Sequence, residues 1–322
     1  MQTENHTGLC KCPCRGLPDA FEAFIANQLP PDMTLREWTA QGEYHQVLGH
    51  QVFVLDRGRG SQTIALLHGY PSCSLDFWDV LPLLTKQYRV IVHDHLGFGL
   101  SDKPRDYSYS LIEQADIALA LWRQLGVEAC HLVAHDYGTS IATEIIARQQ
   151  RHPSGPRIHS LTLSNGSMLI ELSQLRPIQK LLKHKTWGPI VAQLSNEQIF
   201  LRNMRKIWGH PSRFDPEELR LHWQLLIHKD GRRVLPQLTQ YINERYRFWH
   251  RWVGSLYQSE LPVNVLWATK DPVAVVAMAH ELHRHIANSQ IRLLEGIGHY
   301  PMMEAPSDWA EGVLEFIAHL NI

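Results

Sequence analysis

The sequence contains no apolar run long enough to cross a membrane. Its longest, such as TIALL from Thr63 and VNVLW from Val263, are strand-sized, against the roughly 18 to 20 residues that a spanning helix needs. A basic-then-apolar signal pattern is missing from the N-terminus as well, so the chain reads as soluble and cytoplasmic. Neither sign of charge is in surplus, with 31 basic against 32 acidic residues. That balance gives no electrostatic reason to expect nucleic acid or an anionic membrane surface as partner. Internal repeats and low-complexity tracts are absent too.

Cysteine is scarce, at five residues. Cys10, Cys12 and Cys14 stand together in CKCPC, but a zinc site pairs such spacings with a second ligand pair, and none lies nearby. They read as part of a solvated tail, and neither a metal nor a cofactor is expected. The odd number, with Cys73 and Cys130 isolated, argues against a disulfide framework and for a reducing compartment.

What the chain does have is alternation. Strand-like runs QTIALL from Gln62, RVIVHDH from Arg89, CHLVAH from Cys130 and RIHSLTLSNG from Arg157 alternate with helical patterns over 75–87, 110–125 and 137–150. The pattern resumes with PVNVLWATKD from Pro262, a helix near 275–287, QIRLLEG from Gln290 and a last helix near 306–319. Continuous apolar strands separated by helices indicate an α/β fold with a parallel sheet buried on both faces. Residues 167–258 differ: they carry Trp187, Trp208, Trp223, Trp249 and Trp252 among helical spacings and read as an inserted helical cap. The expected division is a tail and amphipathic helix (17–29) within 1–40, a core of 41–166 and 259–322, and a cap of 167–258. Tyr44 to Leu55 reads as a hairpin turned at Gly49.

The chemistry concentrates in LVAHDYGTS, from Leu132. A strand, a small residue, a nucleophile between two spacers, a small residue and a helix make a strained elbow that exposes the nucleophile. Ala134, His135, Asp136, Tyr137 and Gly138 fit it, with Asp136 in the nucleophile's place. The bland alternative is that Asp136 only caps the following helix. Two further strings weigh against that. HGYPS follows a core strand, where the backbone N–H of Tyr70, with that of Tyr137, would form an oxyanion hole. Near the C-terminus, Asp271 in TKDP and His299 in EGIGHYP complete the order nucleophile, acid, histidine. In LGFGLSDKP, Gly97 and Gly99 read as turn residues, since a phosphate loop would need a third glycine or a GK[ST] ending.

At this point HGYPS, HDHLGFGLSDKP, AHDYG, DPV and GHYP resemble the α/β-hydrolase superfamily, in the aspartate-nucleophile branch of epoxide hydrolases and haloalkane dehalogenases, over residues 40 to 320. More narrowly, HDYG, LSNG and QYINERYRFWHRWVGSL resemble the mesoderm-specific transcript protein and its bacterial relatives. The resemblance implies an α/β-hydrolase fold, mostly parallel with helices on both faces and an inserted cap. It implies a small-molecule substrate attacked by Asp136, then hydrolysis of the resulting aspartyl ester by water that His299 activates and Asp271 supports. For an epoxide, a cap tyrosine supplies the acid, and Tyr241 stands at the matching place. For a halide, Trp187 and Trp208 are the candidates. Tyr70 and Tyr137 replace the asparagine and tryptophan of dehalogenases, which favours the epoxide reading over the haloalkane one. A non-catalytic binding protein on the same frame is the third reading.

Overall fold

The computed structural model describes residues 33–151 and 155–320. Cys10, Cys12, Cys14 and the helix expected over 17–29 lie outside the described residues. Eight strands form one sheet: β1 (Glu43–Val47), β2 (His50–Arg57), β3 (Thr63–Leu67), β4 (Arg89–His93), β5 (Ala129–His135), β6 (Arg157–Ser164), β7 (Val263–Ala268) and β8 (Ser289–Leu294). Their spatial order is β1-β2-β4-β3-β5-β6-β7-β8. β1 and β2 make the hairpin, with Val47 opposite His50. Leu48 and Gly49 both take positive φ, 49° and 86°, the signature of a two-residue type I′ turn. β2 runs antiparallel to β4, and every pairing from β4 to β8 is parallel.

Helices on both faces explain the unbroken apolar strands: every residue of β3 and β7 is buried, as in parallel sheets covered on two sides. Leu111–Gln124 begins at Ser110, whose hydroxyl accepts the Glu113 N–H at 3.1 Å as an N-cap. Tyr137–Arg151, Val276–His285 and Pro306–Ala318 follow the expected spans closely. The helix expected over 75–87 does not form as one unit. A 3₁₀ turn, Ser74–Phe77, and a short α-helix, Leu81–Leu84, stand there instead. Pro82 has no N–H to offer Trp78 and its ring would crowd that carbonyl, so it sits in the first turn of a new helix.

Between β6 and β7 the chain is helical, with Pro177–Leu182, Trp187–Leu194, Glu197–Arg205, Pro216–Ile227, Leu235–Leu238 and Tyr241–Tyr257. The last of these lies along Tyr137–Arg151 and is fastened there by Glu144. That buried carboxylate accepts Arg251 Nε at 2.7 Å and Nη2 at 3.0 Å, Arg148 Nε at 2.8 Å and Trp252 Nε1 at 2.8 Å. Burial pushes the Glu144 pKa up, but the donors of Arg251, Arg148 and Trp252 outweigh it and hold the group below its ordinary value, because they favour the charged form.

Candidate active site

Asp136 follows directly on β5 with φ of 44°, a left-handed conformation that costs a non-glycine residue energy and survives only where its surroundings enforce it. Close packing enforces it here. A Cβ on Gly138 would stand 2.5 Å from the Leu67 carbonyl oxygen, and one on Gly69 2.8 Å from His135 Nδ1.

The carboxylate of Asp136 is not a helix cap. A cap would take the N–H of Gly138 or Thr139, yet Gly138 N–H donates to the His68 carbonyl at 3.0 Å and Thr139 N–H to the Asp136 carbonyl at 3.1 Å. Asp136 Oδ1 instead accepts the backbone N–H of Tyr70 at 2.9 Å, and Oδ2 faces His299 Nε2 at 3.7 Å. Tyr137 opens the helix, so its N–H has no carbonyl one turn earlier to bond.

His299 Nδ1 lies 2.7 Å from Asp271 Oδ2. An ionised carboxylate only accepts, so the neutral ring carries its proton on Nδ1 and turns the Nε2 lone pair toward Asp136. Burial lowers the His299 pKa, but the charge and hydrogen bond of Asp271, then the charges of Asp136 and Asp76, outweigh it and leave the group raised. Asp271 is itself fully held: Oδ2 also accepts Asn165 Nδ2 at 2.8 Å, and Oδ1 accepts the N–H groups of Val273 at 2.7 Å and Ala274 at 3.1 Å. The Asn165 amide is oriented by its Oδ1, which takes the Ala268 N–H at 3.0 Å.

The loop carrying His299 is joined to the helical insert. His299 N–H donates to the Ile207 carbonyl at 2.8 Å. The chains cross so closely that a Cβ on Gly298 would lie 2.4 Å from that same oxygen. Buried Glu304 accepts three backbone N–H groups at the crossing, from Gly209 at 3.0 Å, His210 at 2.7 Å and Gly298 at 2.9 Å. Glu304 falls in none of the sequence motifs, and Asn165 stands in LSNG, which by itself gives it no role. Buried carboxylates and amides at helix and strand ends look, in sequence, like ordinary surface residues.

Hydrogen-bond accounting separates the tyrosines. Thr239 Oγ1 donates to the Leu235 carbonyl at 2.6 Å, so at 2.9 Å it must accept from the Tyr70 hydroxyl. Tyr70 therefore has no proton left to give. Gln179 Oε1 accepts the Arg176 N–H at 2.8 Å, which turns its Nε2 to donate to the Tyr241 hydroxyl oxygen at 3.1 Å. Tyr241 keeps its own proton. Its ring packs against those of Tyr70 and Tyr137 at 5.5 and 5.1 Å. Burial first, and then the Asp136 charge, raise its pKa. Arg245, one turn on and buried, lies 4.6 Å from the Tyr241 ring centre. It also donates to Ser140 Oγ at 2.8 Å and to the Asp136 carbonyl at 3.1 Å.

Above Asp136 and His299 lies a cavity of about 110 Å³. Its walls are mainly apolar, among them Leu182, Phe200, Met204 and Trp223, with Arg176, Gln179, Ser195 and Asn203 as polar members. Tyr241 stands behind this lining and reaches it through Gln179. The structure does not bring Trp187 or Trp208 to the cavity. Trp187 is 56% exposed on the surface of the insert. Trp208 is stacked on Tyr300 at 5.7 Å, where it backs the histidine loop. Among the described residues no cluster of three or more His, Cys, Asp or Glu is arranged to hold a metal ion.

This sheet order, with an elbow at the end of β5, is accompanied by a match to the alpha/beta hydrolase fold family over residues 62–306. The chain belongs to that family. A Mycobacterium tuberculosis relative, LipZ, is 37% identical over 284 residues, covering 88% of this chain and 98% of its own. The human mesoderm-specific transcript homolog protein is 36% identical over 300 residues, covering 89% and 90%. Among solved structures, the haloalkane dehalogenase DbeA of Bradyrhizobium elkani superposes with a TM-score of 0.75 at 20% identity, over 87% of this chain and 98% of that one. The fold is shared with an epoxide hydrolase of known structure as well. At such identity the structural likeness speaks for the fold alone.

Proposed function

We propose that the protein is a hydrolase working through a covalent ester of Asp136, with an epoxide as the substrate class. The observation that carries this reading is the orientation of the Asp136 carboxylate. It is turned away from its own helix toward the Tyr70 N–H, the His299 imidazole and an apolar cavity. A carboxylate is already ionised at neutral pH, with an unperturbed pKa of about 3.9, so its attack on a ring carbon needs no base. The C–O bond of the epoxide breaks as the ester bond forms, and the ring oxygen leaves as an alkoxide that takes the Tyr241 proton. The two N–H groups of Tyr70 and Tyr137 then stabilise the oxyanion formed when water, deprotonated by His299 Nε2, attacks the ester carbonyl. Breakdown releases the diol and restores Asp136, and the imidazolium returns its proton to the tyrosinate through solvent.

Tyr241 is favoured over Tyr70 as the acid because its hydroxyl proton is uncommitted, while that of Tyr70 is given to Thr239. Arg245 supports it, since proton transfer leaves a buried tyrosinate that a guanidinium 4.6 Å from the ring compensates. A haloalkane reading has Trp223 in its favour, the tryptophan that lines the cavity. Residues 167–258 act in either case as a cap that shapes the pocket.

A His299→Gln variant tests the proposal. Treated with a panel of epoxides and haloalkanes, it accumulates a mass increase on the peptide containing Asp136, equal to the whole epoxide or to the alkyl group of the halide. No adduct with any member, in a variant that remains folded, overturns the covalent reading.

A further inference from the structure

The helix Trp187–Leu194 is amphipathic the wrong way round. Its buried residues are the small Gly188 and Ala192, and a Cβ on Gly188 would stand 2.2 Å from the Leu182 carbonyl oxygen. Its large apolar residues face outward: Trp187 is 56%, Ile190 46% and Leu194 70% exposed. Leu181 and Ile199, on the two adjacent helices, extend the patch at 47% and 41% exposed. A surface helix ordinarily buries such a stripe, and a contiguous exposed one marks an interaction site.

Between Glu171 and Glu197 the charge beside this patch is of one sign. From residue 172 to 196 there is no Asp or Glu, while Arg176, Lys180, Lys183 and Lys185 fall in the same stretch. Among the described residues none of these lysines forms an ion pair, whereas Arg220, Arg233 and Arg251 elsewhere in the insert do. The near-zero charge of the whole chain conceals this local concentration. Lysines around an exposed tryptophan and aliphatic face are the composition of an interfacial helix attracted to anionic lipid. A second copy of the same patch would bring cations against cations.

The position relative to the cavity adds direction. Two of the three helices that present the patch also line the cavity, through Ile178, Leu182 and Ile199, Ser195 just past the end of the third lines it too, and Ile199 belongs to both surfaces. We infer that this face of the insert docks on an anionic lipid surface and admits apolar substrate from the lipid phase into the cavity above Asp136. The route of entry rests on the function proposed above; the docking does not.

Sedimentation of the full chain with phosphatidylcholine vesicles, with and without phosphatidylserine, tests it. The protein is expected to partition onto the phosphatidylserine vesicles and to be released by salt. Each of Lys180→Gln, Lys183→Gln and Lys185→Gln is expected to weaken partition about fivefold. Ile190→Ser with Leu194→Ser lowers partition onto both vesicle types. All these positions are at the surface, so an unchanged melting temperature separates loss of docking from loss of fold. The inference is overturned if the wild type stays in the supernatant or if the variants partition as it does. It is equally overturned if the wild type is a dimer that the Ile190→Ser/Leu194→Ser change converts to a monomer, because a second copy then covers the patch. Partition is read without turnover, so its failure leaves the chemistry of Asp136 standing.

Discussion

Replacing Tyr241 by phenylalanine removes one hydroxyl and leaves everything else that residue does. The ring retains its contacts with Tyr70 and Tyr137 and its place beneath Arg245. The stability lost is that of the single hydrogen bond from Gln179, about 1 kcal/mol, and Gln179 lines the cavity, where water can replace the lost partner. The effect on chemistry is of another order. A general acid contributes about 10²- to 10⁴-fold in rate, or about 3 to 5 kcal/mol in the barrier. The counter-charge that stabilises the tyrosinate is of similar order: with the guanidinium carbon 4.6 Å from the ring centre and the negative charge mainly on the oxygen, unit charges about 4 to 7 Å apart at an effective dielectric of about 20 interact by about 2 to 4 kcal/mol. Single-turnover kinetics with an epoxide resolve the two steps. Formation of the Asp136 ester is expected to slow at least 100-fold or so, while hydrolysis of ester already formed continues at nearly the wild-type rate. The reasoning is refuted if ester formation slows less than about tenfold, or if hydrolysis carries the loss.

Other expectations concern the groups around this centre. Water attack on the ester needs His299 neutral, so the rate of ester hydrolysis should climb with pH as the ring loses its proton, through a value that Asp271 holds up even though the ester has removed the Asp136 charge. Asp271→Asn, which removes the first of the raising influences, should move that limb to lower pH and slow the step, as stopped-flow measurements across pH will show. Glu144 is held below its ordinary pKa, so the stability it gives is complete above its unfolded pKa and disappears as pH falls through the folded one. Wild type and Glu144→Gln should therefore differ by about 3 kcal/mol in urea melts at neutral pH, as for a broken buried ion pair, and converge in acid; a constant difference would refute this.

The core was legible because periodicity reports burial. β3, β4, β5 and β7 are buried at nearly every residue and fall where the runs indicated, and Asp136 and Asp271 mark strand ends that any open α/β sheet uses for ligands. Where one residue overrides a periodic pattern, as Pro82 does, the reading over 75–87 fails. The insert was harder to read, since its helices pack at angles set by tertiary contacts. An aromatic at helical spacing there is equally compatible with core, cavity and solvent, and Trp208, Trp223 and Trp187 take these three places in turn. Gln179, Arg245 and Glu304 look in sequence like solvated helix residues. Only their partners on remote segments, Tyr241, Asp136 and the Gly209 crossing, give them meaning.

A single turnover in ¹⁸O-labelled water tests the central claim most directly. If Asp136 makes the bond, water attacks the ester carbonyl, the product of the first turnover is unlabelled, and mass spectrometry finds the heavy oxygen in the Asp136 peptide. Label in the first-turnover product, with none in Asp136, would mean that the carboxylate merely activates water, contradicting the account.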